Sequence, residues 1–222
     1  MSRREARRRR DVRRQLWWGA VAILAAAGVA AVVIGLLGGA HGSAGAVAED
    51  MSGAAVAFEP GVTPPPVSQS HAVADVGQRF AVPAKGLDVP LGSLVSVDGE
   101  VTPPGFTSAY VVTDHSVPLD RAADGTVVVA MHALNGGHAP GNALVDPASG
   151  AAAVSAGDLI EVGADTYRVT DTRRVAKPDL AGDAAIWHPE PGRLVVLTCF
   201  PRDGGAALDN LVVIGQLVSA QP

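Results

Sequence analysis

Cys199 and His132 are the residues of this sequence best suited to covalent chemistry. Cys199 is the single cysteine among 222 residues, so no disulfide forms within the chain. It follows the apolar run 194–198, and His132 follows a second apolar run, 127–130, after one intervening residue. A thiolate is a strong nucleophile, and a nearby imidazolium lowers the pKa of a thiol. The alternative is a buried cysteine that only fills space, which is common.

The first 39 residues have the composition of a membrane anchor. Residues 1–15 carry eight arginines, and residues 16–39 form an uncharged, almost wholly apolar run of 24. At about 1.5 Å per residue, such a helix crosses a hydrocarbon core of about 30 Å. The arginines are expected to stay in the cytoplasm. A cleaved signal peptide is the alternative, but its apolar region usually has about 7–15 residues.

The rest of the chain is acidic and is expected to lie outside the cell membrane. From residue 40 onward there are 9 Lys and Arg against 20 Asp and Glu, a formal charge of −11. This excess argues against an electrostatic nucleic-acid binder. Residues 40–72 are rich in Ala, Gly, Ser and Pro and are predicted to form a disordered stalk. Residues 73–222 are then long enough for one domain with its own core.

The domain is predicted to be all-β, because short β-branched runs recur between Gly, Pro, Asp and Asn. Such spacing is typical of a sandwich or closed barrel. Eight segments fit: 79–82, 93–97, 109–112, 126–131, 158–162, 167–170, 194–198 and 211–218. The runs 127–130 and 194–197 are apolar without alternation and are therefore predicted to be central strands. If these two strands are neighbours, His132 and Cys199 lie side by side at one rim.

Several of these segments, in this order, resemble the sortases, the cysteine transpeptidases of Gram-positive cell surfaces. The run from Leu197 to Cys199 is similar to the strand end that carries their nucleophile, and 125–132 is similar to the segment that ends in their catalytic His. The likeness covers roughly residues 80–218. Further similar segments are a Gly-Asp hairpin at 156–169, an opening Val-Pro segment at 82–90, and a last strand at 209–213 like that of class F.

The resemblance implies an eight-stranded β-barrel behind one N-terminal transmembrane helix. It implies that Cys199 attacks a backbone carbonyl in a sorting signal similar to Leu-Pro-x-Thr-Gly, that a thioacyl enzyme forms, and that an amine resolves it. His132 is then the general acid for the leaving amine. The implied partners are a surface-protein sorting signal and an amine acceptor, either a cell-wall precursor or a pilin lysine. No cofactor is expected.

One departure from the family pattern concerns a cation. Sortases use an arginine on the strand after the cysteine, and in the class F pattern its position here is Leu208. Arg202 is the one arginine between Cys199 and the last strand, so we predict that it takes this role, with an exposed loop charge as the alternative. Rival arginines are Arg168, Arg173, Arg174 and Arg193. A second departure is Met131, where many sortases carry Gly before the His.

Asn135 and His138 lie in a turn-rich loop after His132, predicted to border the substrate cleft, and Thr198 precedes the nucleophile. We therefore expect these three residues to contact substrate. A metal site of His132, His138 and Cys199 is a weaker reading, because no second cysteine is present. Other residues stay open: His115 as a rival general acid, His188 as a substrate contact, and Asp146 or Asp171 as a partner that orients His132.

Two other functions compete with the transpeptidase. The first is a sortase-like domain with weak or no activity that acts as a surface binding or structural protein. The absence of the usual arginine favours this alternative. The second is an L,D-transpeptidase, another exported Cys–His enzyme. That family expects a Ser-x-Gly-Cys motif, which the residues around Cys199 do not match.

Overall fold

The structure, a computed structural model, describes residues 47–146, 148–202 and 205–219. Its strands are β1 Val47–Glu49, β2 Ala55–Ala57, β3 Val73–Val82, β4 Leu87–Leu94, β5 Ala109–Val112, β6 Thr126–Ala130, β7 Val145–Asp146, β8 Ala151–Ala152, β9 Leu159–Val162, β10 Asp165–Ala176, β11 Arg193–Cys199 and β12 Asp209–Ser219. Three single-turn helices accompany them: α1 Val67–Ser70, α2 Lys177–Leu180 and α3 Ala184–Trp187. Four 3-10 turns cover Pro83–Lys85, Thr113–His115, Leu119–Asp124 and Pro140–Ala143.

Eight of these strands close into a barrel in the order β10-β12-β11-β6-β5-β4-β3-β9, and β9 pairs back with β10. The prediction of a closed eight-stranded β-barrel is thereby confirmed. Most neighbours are antiparallel, but β6 with β11 and β4 with β5 are parallel. Parallel neighbours point their carboxyl ends toward the same rim, so residues that follow β6 and β11 meet at one end of the barrel.

Each predicted strand segment overlaps one strand of the barrel. The poorest overlap is at 93–97, because β4 runs earlier, over Leu87–Leu94. Pro90 and the flanking glycines weaken the strand signal there. Val89 and Leu91 nevertheless lie in the barrel interior, and their burial carries the strand through the proline.

The interior and the outer face of the barrel are both apolar along β6 and β11. Alternate residues of β11 enter different clusters: Leu194 and Val196 pack inside, whereas Val195 and Leu197 pack outside. The outer layer includes Ile186 from α3. The whole of β6 is buried, and so is β11 up to its last residue. The prediction that these are central strands buried on both faces is confirmed.

Part of the predicted stalk is ordered. Strands β1 and β2 pair, and Phe58, which follows them, packs on Phe106 with ring centroids 4.5 Å apart. Both rings are buried, so this segment belongs to the folded domain although its composition resembles a linker. The predicted anchor 16–39 and the arginine-rich segment 1–15 lie outside the described residues. None of the helices within the described ranges has the length and apolar character needed to cross a membrane.

Candidate active site

Cys199 and His132 end two neighbouring parallel strands in matching register. Leu197 on β11 pairs with Ala130 on β6, and Met131 N donates to Leu197 O at 3.0 Å. Continuing that register by two residues brings Cys199 opposite His132. Neighbouring strands lie about 4.7–4.9 Å apart, so their backbones are adjacent at this rim.

Both side chains belong to the outer face of the barrel. Met131 and Ala133 pack in the interior cluster, so His132 between them points outward. Cys199 lies two residues after Leu197, which packs in the outer layer, and it is half-buried. The sequence-predicted nucleophile and general acid are therefore brought together on one face at one end of the barrel.

The His132 ring is held by a backbone carbonyl and by two aromatic rings. Its Nε2 lies 2.9 Å from Pro103 O, so Nε2 donates and Nδ1 is left as the second ring nitrogen. The Phe106 and Phe58 ring centroids lie 4.9 and 5.4 Å from that of His132. Burial lowers the pKa of His132 below 6.5, against the opposing effects of Pro103 O and Glu59. The imidazole of the resting site is consequently neutral at pH 7.

Cys199 is also neutral in the resting site. Burial raises the pKa of its thiol above 9.0, and the Glu59 carboxylate adds to this rise. The Lys177 ammonium opposes both through its charge and as a hydrogen-bond donor. The same Lys177 and Glu59 act on the pKa of His132, so one ion pair lies within electrostatic range of both catalytic candidates.

That ion pair joins α2 to the N-terminal segment, residues 47–62, which contains β1, β2 and Phe58. Glu59 Oε2 lies 3.0 Å from Lys177 Nζ, and Glu59 Oε1 accepts from Ala207 N at 2.9 Å. Sequence reasoning missed Phe58, Glu59 and Lys177. The one sequence feature that pointed to any of them is that the chain has just two lysines, Lys85 and Lys177. That count by itself indicates no role for either lysine.

The N-terminal segment is tied down beside the site through Asp50. Its carboxylate accepts from Ser52 N, Ser52 Oγ, Ala54 N and His138 N at 2.6–3.1 Å. Met51 N donates to His138 O at 2.8 Å. Hydrogen bonds, first from the Ser52 side chain and then from His138 N, hold the pKa of Asp50 well below its usual 3.8. The carboxylate is therefore ionised and fixes β1–β2 onto the loop after His132.

The three predicted substrate contacts take different places. Asn135 and His138 are exposed in the loop after His132, and the backbone of His138 binds the N-terminal segment. Thr198 alternates with Cys199 and is 3% exposed, so its side chain points to the barrel interior, away from the Cys199 face. Its Oγ1 has no hydrogen-bond partner among the described residues, and a Cβ on Gly141 would lie 2.0 Å from it.

Each arginine considered as the cation of the site forms hydrogen bonds or an ion pair with other residues. Arg202 is exposed, and its Nε donates to Ala206 O within the same loop at 2.8 Å. Arg174 binds Asp209, Arg173 binds Asp171, and Arg168 donates to Gly157 O. Arg193 is buried at the start of β11, at the opposite end of that strand from Cys199, and lines a cavity with His188. That cavity includes neither catalytic candidate.

The other ionisable candidates lie elsewhere or have other partners. His115 stacks on Trp187 at 5.0 Å, in the 3-10 turn that follows β5. Asp146 accepts from Ser149 and Asp171 from Arg173, whereas Pro103 O is the acceptor at His132. Across the ranges that the structure describes, no three His, Cys, Asp or Glu side chains form a group able to hold a metal ion.

Solved structures similar to this chain are sortases. Sortase A of Listeria monocytogenes is 17% identical, with 66% of this chain and 89% of that chain covered and a TM-score of 0.48. A pilus-related sortase C of Group B Streptococcus is 17% identical, with coverage of 66% and 70% and a TM-score of 0.47. A lid mutant of sortase A from Corynebacterium diphtheriae is 14% identical, with coverage of 70% and 75% and a TM-score of 0.47.

No family model matches the chain, and no curated protein matches it.

Proposed function

We propose that this protein is a sortase-like cysteine transpeptidase. The observation that carries the proposal is the register of β6 and β11, which sets His132 beside Cys199 on the outer face of the barrel. The site brings together a nucleophile and an adjacent imidazole, the pair that acyl transfer through a covalent intermediate uses. The resemblance of the segments 125–132 and 197–199 to sortase motifs agrees with this chemistry.

In the proposed reaction, Cys199 carries the acyl group and His132 carries the proton at each step. The Cys199 thiolate attacks the carbonyl carbon of a peptide bond, the C–N bond breaks, and the His132 imidazolium gives its proton to the leaving amine. The acyl group stays on Sγ as a thioester. An amine acceptor then attacks the thioester, its proton passes to His132, and Cys199 leaves as the thiolate. The acyl energy is conserved for transfer to the new amide.

The finer assignment follows the sequence. We propose that the chain is most similar to class F sortases and that residues 16–39 form a single-pass anchor with a cytoplasmic N-terminus. The proposed substrate carries a sorting signal similar to Leu-Pro-x-Thr-Gly. The acceptor is proposed to be an amine of a cell-wall precursor or a pilin lysine. These proposals rest on the apolar run before residue 40 and on the segments that resemble sortases.

A peptide panel tests the proposal. The domain is incubated with sorting-signal peptides and hydroxylamine, and hydroxamate products are measured for the wild type, Cys199→Ala and His132→Ala. We expect product from the wild type and none from Cys199→Ala. Wild-type protein that is folded but forms no product with any peptide contradicts the proposal.

The second candidate is a sortase-like surface protein with weak or no transpeptidase activity. It is favoured by Leu208, which stands where an arginine is expected, and by Phe58, which packs on the His132 ring. The same peptide panel separates the two functions, because the binding protein retains the peptide without forming a hydroxamate.

A further inference from the structure

The start of β12 carries no cation, but its neighbour β10 brings one to the same position. Ala176 at the end of β10 pairs with Asp209 at the start of β12. One residue on, Lys177 N donates to Leu208 O at 2.9 Å. Lys177 therefore stands directly beside the position where the sequence pattern led us to expect an arginine.

Lys177 also lies on the correct face of the barrel. Val175, two residues earlier, packs with the outer apolar layer, and so does Val212 on β12. By the two-residue period of strands, Lys177 continues the outer side of β10, and Asn210 continues that of β12. Asn210 pairs with Cys199. The adjacent strands β10, β12, β11 and β6 thus present Lys177, Asn210, Cys199 and His132 along one rim.

We propose that Lys177 is the cation of this catalytic centre and that its ammonium stabilises the Cys199 thiolate. The inference rests on the proposed function, because it assigns a charge to the same site. The Nζ atom is held by the 3.0 Å ion pair with Glu59, and both charges of that pair act on the Cys199 thiol. A lysine acts as a point charge, so a spherical thiolate is a suitable partner.

The electrostatics of the described site agree with this role. Lys177 lowers the pKa of Cys199 against the effect of burial. Burial also acts to lower the pKa of Lys177, but the charge of Cys199 and the contacts with Glu59 raise it above 10.5, so the ammonium stays protonated at neutral pH. Arg202, the cation predicted from the sequence, is exposed and donates to its own loop.

The test measures the reactivity of the Cys199 thiol and not the rate of catalysis. The pH dependence of Cys199 alkylation by iodoacetamide is recorded for the wild type, Lys177→Met and Lys177→Arg. Lys85→Met is the matched control, because Lys85 is the other lysine and lies exposed at the end of a 3-10 turn. We expect Lys177→Met to slow alkylation at pH 7.5 by about tenfold or more, since one pKa unit changes the thiolate fraction about tenfold.

We expect Lys177→Arg to retain most of the rate and Lys85→Met to match the wild type. A folded Lys177→Met whose alkylation profile equals that of the wild type overturns the proposal, and so does a larger loss in Arg202→Met. If Lys177→Met does not fold, Glu59→Gln is compared with Glu59→Gln/Lys177→Gln, which leaves no unpaired charge. Equal thiol pKa values in that pair also overturn it.

The outcomes separate this inference from the proposed function. Alkylation needs no peptide, so the role of Lys177 is decided even if no sorting signal is cleaved. If Cys199→Ala abolishes peptide cleavage while Lys177→Met leaves the thiol pKa unchanged, the transpeptidase stands and the assignment of Lys177 fails.

Discussion

Glu59 and Lys177 are 118 positions apart in sequence, yet Oε2 and Nζ lie 3.0 Å apart, and both charges act on the Cys199 thiol. The other carboxylate oxygen of Glu59 accepts from Ala207 N at 2.9 Å. The N-terminal segment thereby contributes a negative charge to a site whose other groups come from the barrel. This charge works against the thiolate, because the carboxylate raises the pKa of Cys199.

Replacing Glu59 by Gln is predicted to make Cys199 more reactive. Removal of the carboxylate lowers the thiol pKa and leaves the Lys177 charge unpaired, so the thiolate fraction at pH 7.5 increases by a few-fold, up to about tenfold per pKa unit. The rate of iodoacetamide alkylation measures the change. Glu161→Gln is the control, because Glu161 is exposed on β9. Slower alkylation in Glu59→Gln than in the wild type contradicts this electrostatic account.

The pH profile of peptide cleavage is predicted to be broad. The proposed reaction needs a Cys199 thiolate together with a His132 imidazolium, but burial raises the pKa of the thiol above 9.0 and lowers that of the imidazole below 6.5. The active pair is a minority species, constant between the two apparent pKa values. Cleavage therefore falls below the lower value, where the thiolate is lost, and above the upper value, where the imidazolium is lost. If cleavage already falls at a pH well below 9, the pKa of the Cys199 thiol is not raised, and this result contradicts the prediction.

Phe58→Ala is predicted to raise the pKa of His132 toward 6.5. Phe58 is 7% exposed and covers the His132 ring, so its truncation admits water and relieves the desolvation of the imidazolium. Loss of a buried aromatic side chain also destabilises the fold by about 3–5 kcal/mol. Proton NMR titration of His132 and thermal unfolding measure the two effects. The first part fails if the pKa of His132 in Phe58→Ala equals that of the wild type, with Phe58→Leu as the conservative control.

Gly141→Ala is predicted to disturb the end of β6. Gly141 N donates to His132 O at 2.8 Å, and a Cβ there would meet Thr198 Oγ1 at 2.0 Å and His132 O at 2.7 Å. The strand ends that carry His132 and Cys199 must shift to accept it, at a cost of about 1–3 kcal/mol. Urea unfolding and the cleavage rate are compared with Gly182→Ala, where the new Cβ would lie 3.8 Å from its nearest neighbour, Asp179 O. Equal stability of the two variants is the contrary result.

The strands, and the placement of Cys199 and His132 at the ends of two of them, were within reach of the sequence. The apolar runs of β6 and β11 mark strands buried on both faces, and the residues that follow them mark one rim of the sheet. That the two strands are parallel neighbours is a tertiary fact without a local signature. The extent of β4 was also hidden, because burial of Val89 and Leu91 overrides the proline between them.

The electrostatic environment of the site was outside the reach of the sequence. Residues 47–62 have the composition of a linker, and nothing local shows that Phe58 and Glu59 find partners on the barrel. Lys177 follows β10 by one residue, and only the pairing of β10 with β12 reveals that it neighbours Leu208. Charges that act on a site from separate strands become visible only when the strand order is known.

Mass spectrometry of the protein after incubation with a sorting-signal peptide tests the central claim most directly. The account predicts a mass increase equal to the acyl fragment, mapped to Cys199, formed more slowly in His132→Ala and absent in Cys199→Ala, and discharged by an added amine. A folded wild-type protein that accumulates no adduct on Cys199 with any peptide of the panel, and consumes none of them, contradicts it.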